Sequence, residues 1–275
     1  MSSARVALVQ MNSAVDVEAN LVATRRLALE AAAGAADFIC LPENFACLGN
    51  PDPRGVADRY AGEIAEFLAK LARETGCWLF AGTAPRPDRP DGSPVPDGRV
   101  RAASLVFDGS GREVARYDKI HMFDVDVADG HRNYRESATF EHGADIVVVE
   151  TPIGPVGLTV CYDIRFSELF LSLAREGVVA FMIPSAFTVP TGIAHFELLC
   201  RARAVESFAY VLSACQGGTH DSGRVTYGHS VAVNPWGEVI ARAEGDAPGV
   251  VFAELDTSQV SSVRRDMPVH QQRRL

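Results

Sequence analysis

Cys161 sits where a nucleophile is useful. The apolar run Gly157-Leu158-Thr159-Val160 reads as a strand, Cys161 ends it, and Tyr162-Asp163-Ile164-Arg165 leads into a helical stretch. A strand-to-helix corner projects its side chain from the sheet edge and leaves backbone N–H groups unpaired at the helix start. Such groups favour a thiolate and can hold an oxyanion. A structural cysteine at a strand end fits the same position equally well. Glu43 follows the apolar run Phe38-Ile39-Cys40-Leu41, so it also stands at the carboxyl end of a strand, where the sites of open α/β sheets gather. Lys119 comes two residues after the strand signal Glu113–Tyr117. Singly, Glu43 reads as a solvated loop acid and Lys119 as a surface lysine. Together with Cys161 they suit acyl transfer from an amide. Glu43 would take the thiol proton and later activate water, Lys119 would face the developing oxyanion, and a thioester would link the two half-reactions.

Competing chemistries find little support. The chain has no G-x-S-x-G, G-x-G-x-x-G, Walker A or H-E-x-x-H pattern. Its seven histidines are scattered, and the closest set, His121, His131 and His142, lacks metal-ligand spacing and a neighbouring cysteine. No metal and no cofactor is expected.

These residues must be brought together by alternating strands and helices. Val6–Gln10 reads as a strand, and Asp16–Ala33 as a helix with Asp16 as N-cap and Gly34 as its stop. Ala57–Glu74 is a second amphipathic helix with Ile64, Phe67, Leu68 and Leu71 on one face, ended by Gly76 before the strand Cys77–Ala81. Val100–Phe107 and Glu113–Tyr117 flank the turn Asp108–Gly111 as a hairpin. The proline-rich stretch Pro85–Gly98 between them reads as a surface excursion and not a domain linker. In the second half, strands Asp145–Glu150, Gly157–Val160, Val178–Ile183 and Tyr210–Ala214 alternate with helices Phe166–Glu176 and Ile193–Glu206. A hairpin around Pro235-Trp236-Gly237 and a last strand, Gly249–Leu255, complete an α/β layered pattern.

Composition narrows the class. The 275 residues allow one large domain or two small ones. A 47% apolar content excludes a disordered chain. Acidic residues exceed basic ones by 35 to 26, for a net charge of -9, which disfavours a general nucleic-acid binder. No run of 18 apolar residues suggests a membrane span. The N-terminus MSSARVALVQMNS reads as a first strand and not as a leader. The six cysteines form no C-x-x-C pair, so reduced thiols and a cytoplasmic location are expected.

Leu41-Pro42-Glu43-Asn44-Phe45, Tyr117-Asp118-Lys119-Ile120-His121 and Val160-Cys161-Tyr162-Asp163-Ile164-Arg165-Phe166 together resemble the motifs of the nitrilase, or carbon–nitrogen hydrolase, superfamily, in the same order. Pro184–Phe187, Tyr227–Ser230 and Asn234–Glu238 extend the likeness, which runs from Val6 to about Arg274. The resemblance implies a four-layer α-β-β-α sandwich forming a single domain over residues 1–275. It implies a homodimer or homotetramer paired through a helix face. It also implies Glu43 as general base, Lys119 as oxyanion stabiliser, Cys161 as nucleophile and Glu136 as a second, positioning glutamate. The Tyr162 N–H would complete the oxyanion hole.

Within the superfamily the chain resembles the Nit branch, which acts on ω-amides of small carboxylic acids. Arg165 would meet a substrate carboxylate with its fork-shaped guanidinium, or else pair with Asp163 or Glu168. Phe187 and Thr191 match substrate-contacting positions, although a core role for Phe187 and a helix cap for Thr191 also fit. PSAFTVPTGI (184–193) and QGGTH (216–220) resemble enzymes acting on deaminated glutathione. An ω-amidase acting on α-ketoglutaramate and an N-carbamoyl hydrolase stay open. From another class, so does a non-catalytic or ammonia-supplying subunit. Departures from the branch pattern are Phe196 where Trp is usual, Ser167 where Pro is usual, and a tail that stops at Arg273-Arg274-Leu275.

Overall fold

The computed structural model describes residues 3–129 and 133–274. The first half runs β1 (Ser3–Gln10), α1 (Val17–Ala33), β2 (Phe38–Cys40), α2 (Pro53–Thr75), β3 (Trp78–Phe80), β4 (Ala84–Arg86), β5 (Arg101–Phe107) and β6 (Glu113–Asp118). Local signals set the helix ends. The Asp16 carboxylate accepts the Ala19 N–H at 3.1 Å, and the Asp52 carboxylate accepts that of Gly55 at 2.9 Å. Gly76 closes α2 in the left-handed region at φ 70°.

The second half begins with a hairpin of β7 (Asp124–Asp126) and β8 (Asn133–Arg135). It continues through β9 (Val148–Thr151), β10 (Gly154–Leu158), α3 (Ser167–Arg175), β11 (Ala180–Met182), the short α4 (Val189–Thr191), α5 (Glu197–Ser207) and β12 (Tyr210–Ser213). Then follow β13 (Gly217–Thr219), β14 (Val225–Tyr227), β15 (Val231–Val233), β16 (Val239–Arg242), β17 (Gly249–Asp256), α6 (Ser258–Asp266) and α7 (Val269–Gln272).

Two sheets result. One has the order β17-β1-β2-β3-β5-β4, with β6 on β5; the other has the order β16-β15-β12-β11-β10-β9. β1, β2 and β3 pair in parallel, as do β10, β11 and β12. Parallel strands are covered on both faces, so both sets of alternating side chains are apolar. Val6, Leu8, Phe38 and Cys40 join the core shared with the second sheet, while Ala7, Val9, Ile39 and Leu41 join the core under α1 and α2. The Cys40 thiol meets the Met182 sulfur at 3.5 Å, which ties β2 to β11 across the middle. Phe170, Leu173, Cys200 and Ala204 of α3 and α5 join the shared core on the far side. The layers are α-β-β-α, as expected.

Several boundaries differ from the sequence reading. The excursion Pro85–Gly98 is partly sheet: Pro85 pairs with Ala102 in β4, and Val95 is buried. Pro tolerates this place because β4 is the edge of its sheet. The stretch expected to start a helix at Ile193 is a π-helical turn, Gly192–Phe196, before α5. The hairpins β7–β8 and β13–β14 went unread because their strands are short and polar.

Candidate active site

Three chain segments end at one cavity of about 280 Å³, lined among others by Glu43, Lys119, Glu136 and Cys161. Glu43 leaves the carboxyl end of β2, in a turn anchored by the Asn44 N–H on Thr83 Oγ1 at 2.8 Å. Gly82 makes this turn possible. Its φ is 52°, and a Cβ there would fall 1.9 Å from the Pro42 carbonyl oxygen. Lys119 follows β6, its N–H bonded to Ala102 O at 3.0 Å and its carbonyl accepting the Gly143 N–H at 2.7 Å. Cys161 follows β10 with φ 45°, a strained conformation for a non-glycine residue, and its N–H is tied to Pro184 O at 2.9 Å.

Lys119 is the hub. Its Nζ donates to Glu43 Oε1 at 2.7 Å and to both Glu136 oxygens at 2.8 Å. Glu136 also accepts the Phe123 N–H at 2.6 Å, so its carboxylate is pinned from two sides. Burial by itself would lower the Lys119 ammonium, but the Glu136 and Glu43 carboxylates overcome it and hold the group above the ordinary lysine value. Burial, aided by Glu43, raises the Glu136 carboxyl against the pull of Lys119.

Burial, and then the Glu43 carboxylate, push the Cys161 thiol well above the ordinary cysteine value, with Lys119 opposing. These influences favour the thiol over the thiolate, which suits a residue whose proton a neighbouring carboxylate is to remove. The segment after Cys161 is a 3-10 turn, Cys161–Arg165, and α3 begins only at Ser167. The Tyr162 N–H finds no backbone acceptor among the described residues.

Two buried residues that the sequence reading did not place in the site hold it together. Asp163 is fully buried. It accepts the Tyr117 hydroxyl at 2.7 Å, the Val160 N–H at 2.8 Å, and both the N–H and ring Nδ1 of His121, at 3.0 and 2.7 Å. It thus fastens the Cys161 turn to the strand that carries Lys119. Gln216 binds Ser13 through both ends of its amide, and its Nε2 also donates to Glu43 O at 3.0 Å. No local pattern signals either partnership, because the partners are remote in sequence.

Arg165, Phe187 and Thr191 line the same cavity. The Arg165 guanidinium lies 5.7 Å from the Tyr162 ring and 5.8 Å from that of Phe187, and its Nη2 stands 3.3 Å from His195 Nδ1. Neither Asp163 nor Glu168 pairs with it among the described residues, and Asp163 is committed to Tyr117, Val160 and His121. Phe187 is buried against Phe196, ring to ring at 5.0 Å, so the residue that departs from the branch pattern backs the cavity wall. Thr191 exchanges a hydroxyl bond of 2.8 Å with Thr188 and stands at the N-cap of the Gly192–Phe196 turn, where its side chain makes no capping bond. Arg224, which the sequence reading passed over, lines the cavity from the β13–β14 hairpin. Of the scattered histidines, His121 is taken by Asp163, His142 bonds Gly143 O, and His131 lies outside the described residues.

The family profile described as carbon-nitrogen hydrolase matches residues 5–265. The chain belongs to the carbon-nitrogen hydrolase family. It is 38% identical, over all of its length and 94% of the relative's, to a deaminated glutathione amidase of Yersinia enterocolitica. It is 35% identical to the human omega-amidase NIT2, over all of its length and 96% of the relative's. Among solved structures, the C. elegans NitFhit protein superposes with a TM-score of 0.90 at 35% identity, where the chain spans 66% of that protein. Saccharomyces cerevisiae Nit3, described as a member of branch 10 of the nitrilase superfamily, gives 0.85 at 30% identity over 97% of its chain. The carbon-nitrogen hydrolase fold and an amidohydrolase activity on C–N bonds other than peptide bonds both stand with these likenesses.

Proposed function

We propose that this enzyme cleaves the amide of a small carboxylate-bearing substrate through a thioester on Cys161, and that the substrate is deaminated glutathione. One observation carries the mechanism: Lys119 Nζ bridges Glu43 and Glu136 at 2.7 and 2.8 Å in the cavity that holds the Cys161 thiol. Glu43 is the general base. It removes the thiol proton as Sγ attacks the amide carbon, which suits a thiol that burial keeps protonated at rest. Lys119, held cationic by its two carboxylates, and the Tyr162 N–H receive the oxyanion. The C–N bond then breaks, and the proton from Glu43 goes to the departing nitrogen. Water, deprotonated by Glu43, attacks the thioester carbonyl. The second tetrahedral intermediate expels the sulfur, which recovers a proton, and the carboxylate product leaves. Glu136 positions Lys119 and does not touch the reacting atoms.

Arg165 supports a carboxylate-bearing substrate, because its guanidinium, without a carboxylate partner among the described residues, faces the cavity from above the Phe187 ring. Phe187 and Thr191 shape the pocket around it. A relative named deaminated glutathione amidase, at 38% identity, stands above one named omega-amidase, at 36%, which supports deaminated glutathione; the decisive assay is the ratio of kcat/KM for it and α-ketoglutaramate. A ratio above one supports the reading, and a preference for α-ketoglutaramate overturns it in favour of an ω-amidase.

The proposal extends to the whole chain acting as one domain, which the core shared between both halves supports. A homodimer or homotetramer is supported by the exposed apolar side chains Ile193, Leu198 and Val205 around α5, with exposed Trp236 on the β15–β16 turn, whose Gly237 O accepts from Arg201 of α5. Light scattering tests it: a monomer overturns it. Six free cysteines support a reducing, cytoplasmic setting. No helix among the described residues is long and apolar enough to cross a membrane.

A further inference from the structure

A second cavity, of about 260 Å³, adjoins the first, and Tyr134 and Arg224 line both. Its remaining walls include Val189 and Pro190 of α4 and Ser222 and Val225 of the β13–β14 hairpin. Arg224 is built into this partition. Its Nη2 donates to Ala186 O at 2.8 Å, and its guanidinium lies 5.4 Å from the Tyr134 ring. Its Nε is buried and has no hydrogen-bond partner among the described residues. Among the described residues at the rim the one carboxylate, Asp129, already accepts the Tyr134 hydroxyl at 2.8 Å. A buried N–H without an acceptor is costly unless a ligand supplies one.

Hydrolysis of an amide makes two products, and they need not be alike. Ammonia is water-sized, about 30 Å³, and leaves a simple ω-amide without needing a second chamber. We infer that the second cavity receives the leaving half of the substrate, an amine of dipeptide size ending in a carboxylate, and that Arg224 binds that carboxylate. The inference rests on the amidase reading above and divides the substrate between two arginines. Arg165 serves the acyl half, which stays on Cys161 as the thioester. Arg224 serves the half whose nitrogen takes the proton from Glu43 as the C–N bond breaks.

The test compares wild type with Arg224→Met and Arg224→Lys. The readout is the ratio of kcat/KM for deaminated glutathione to that for α-ketoglutaramate. The expected result is a fall of about ten-fold or more in Arg224→Met, carried by KM, with part of the loss restored in Arg224→Lys. A deaminated glutathione whose terminal carboxylate is amidated is expected to lose about as much with wild type and nothing further with Arg224→Met. An unchanged ratio, or equal losses on both substrates, overturns the inference. If wild type turns over neither substrate, the amidase reading fails separately. Calorimetry with cysteinylglycine then decides the subsite: weaker binding to Arg224→Met supports it, and equal or absent binding overturns it.

Discussion

At the floor of the cavity each charge is answered by another, whereas on its wall the cations have no carboxylate partner among the described residues. Glu43 and Lys119 are almost fully buried, and Lys119 is shared between two carboxylates at 2.7 and 2.8 Å. Arg165 instead has aromatic rings and a histidine nitrogen around it, and Arg224 has a carbonyl oxygen and a ring. The floor is preorganised for a charge that exists only during reaction, so its groups hold one another in place while the substrate is absent. The wall is complementary to a charge that arrives with the substrate. Removing a floor residue should therefore damage turnover and, for Lys119, folding; removing a wall residue should damage binding.

The largest expected effect is at Cys161. Cys161→Ala should lower turnover by about 10⁴-fold or more with little change in Tm, and intact-mass analysis of wild type with slow substrate should find an acyl adduct that the variant lacks. Retained turnover would place the nucleophile elsewhere. Next come the charged floor residues. Glu43→Gln should cost about 10²–10⁴-fold in kcat, as expected for loss of a general base. Lys119→Met should cost comparably and should also destabilise the fold by about 3–5 kcal/mol, because two buried carboxylates then face each other without their cation. Chemical denaturation reads this: equal stability of the Lys119 and Arg165 variants would erase the contrast between floor and wall.

A smaller effect is expected for Arg165→Met, a rise in KM of about 10–100-fold with kcat nearly kept and Tm within a degree or so of wild type. A kcat loss without a KM change would move Arg165 to the floor. The smallest effect concerns pH. His220 secures the β13–β14 hairpin through Ser13 O at 2.9 Å and Thr226 Oγ1 at 2.7 Å, and burial lowers its pKa below the ordinary 6.5. The unfolded chain therefore binds the proton more readily, so this contribution is complete above about pH 6.5 and declines as pH falls toward the lower folded value. His220→Gln should flatten the dependence of Tm on pH between about 5 and 7 by a modest amount, and a wild type with no such dependence would remove His220 from the account.

Much of the fold was legible because local signals and burial agree. Asp16 and Gly76 mark helix ends through their own chemistry, and the apolar runs at Phe38–Leu41 and Val178–Ile183 mark strands covered on both faces. The β7–β8 and β13–β14 hairpins were illegible, since short polar strands carry no period. Pro85 misled for a related reason: proline signals a loop, but an edge strand accepts it. In the site, residue types and order pointed to Glu43, Lys119 and Cys161. Asp163, Gln216 and Arg224 were invisible there, because their partners Tyr117, Ser13 and Ala186 come from other strands and turns.

The amino-acid sequence alone determined the kinds of groups available, the strand ends that carry them, and the family whose motifs they resemble. Tertiary structure decided how those groups behave. Burial and the neighbouring Glu43 push the Cys161 thiol above the ordinary cysteine value, opposing the pull toward thiolate of a strand-to-helix corner. Two carboxylates hold the Lys119 ammonium above the ordinary lysine value where burial alone would lower it. Both outcomes depend on distances and solvent exclusion between segments far apart in the chain, and electrostatic energies follow those distances and not the order of residues.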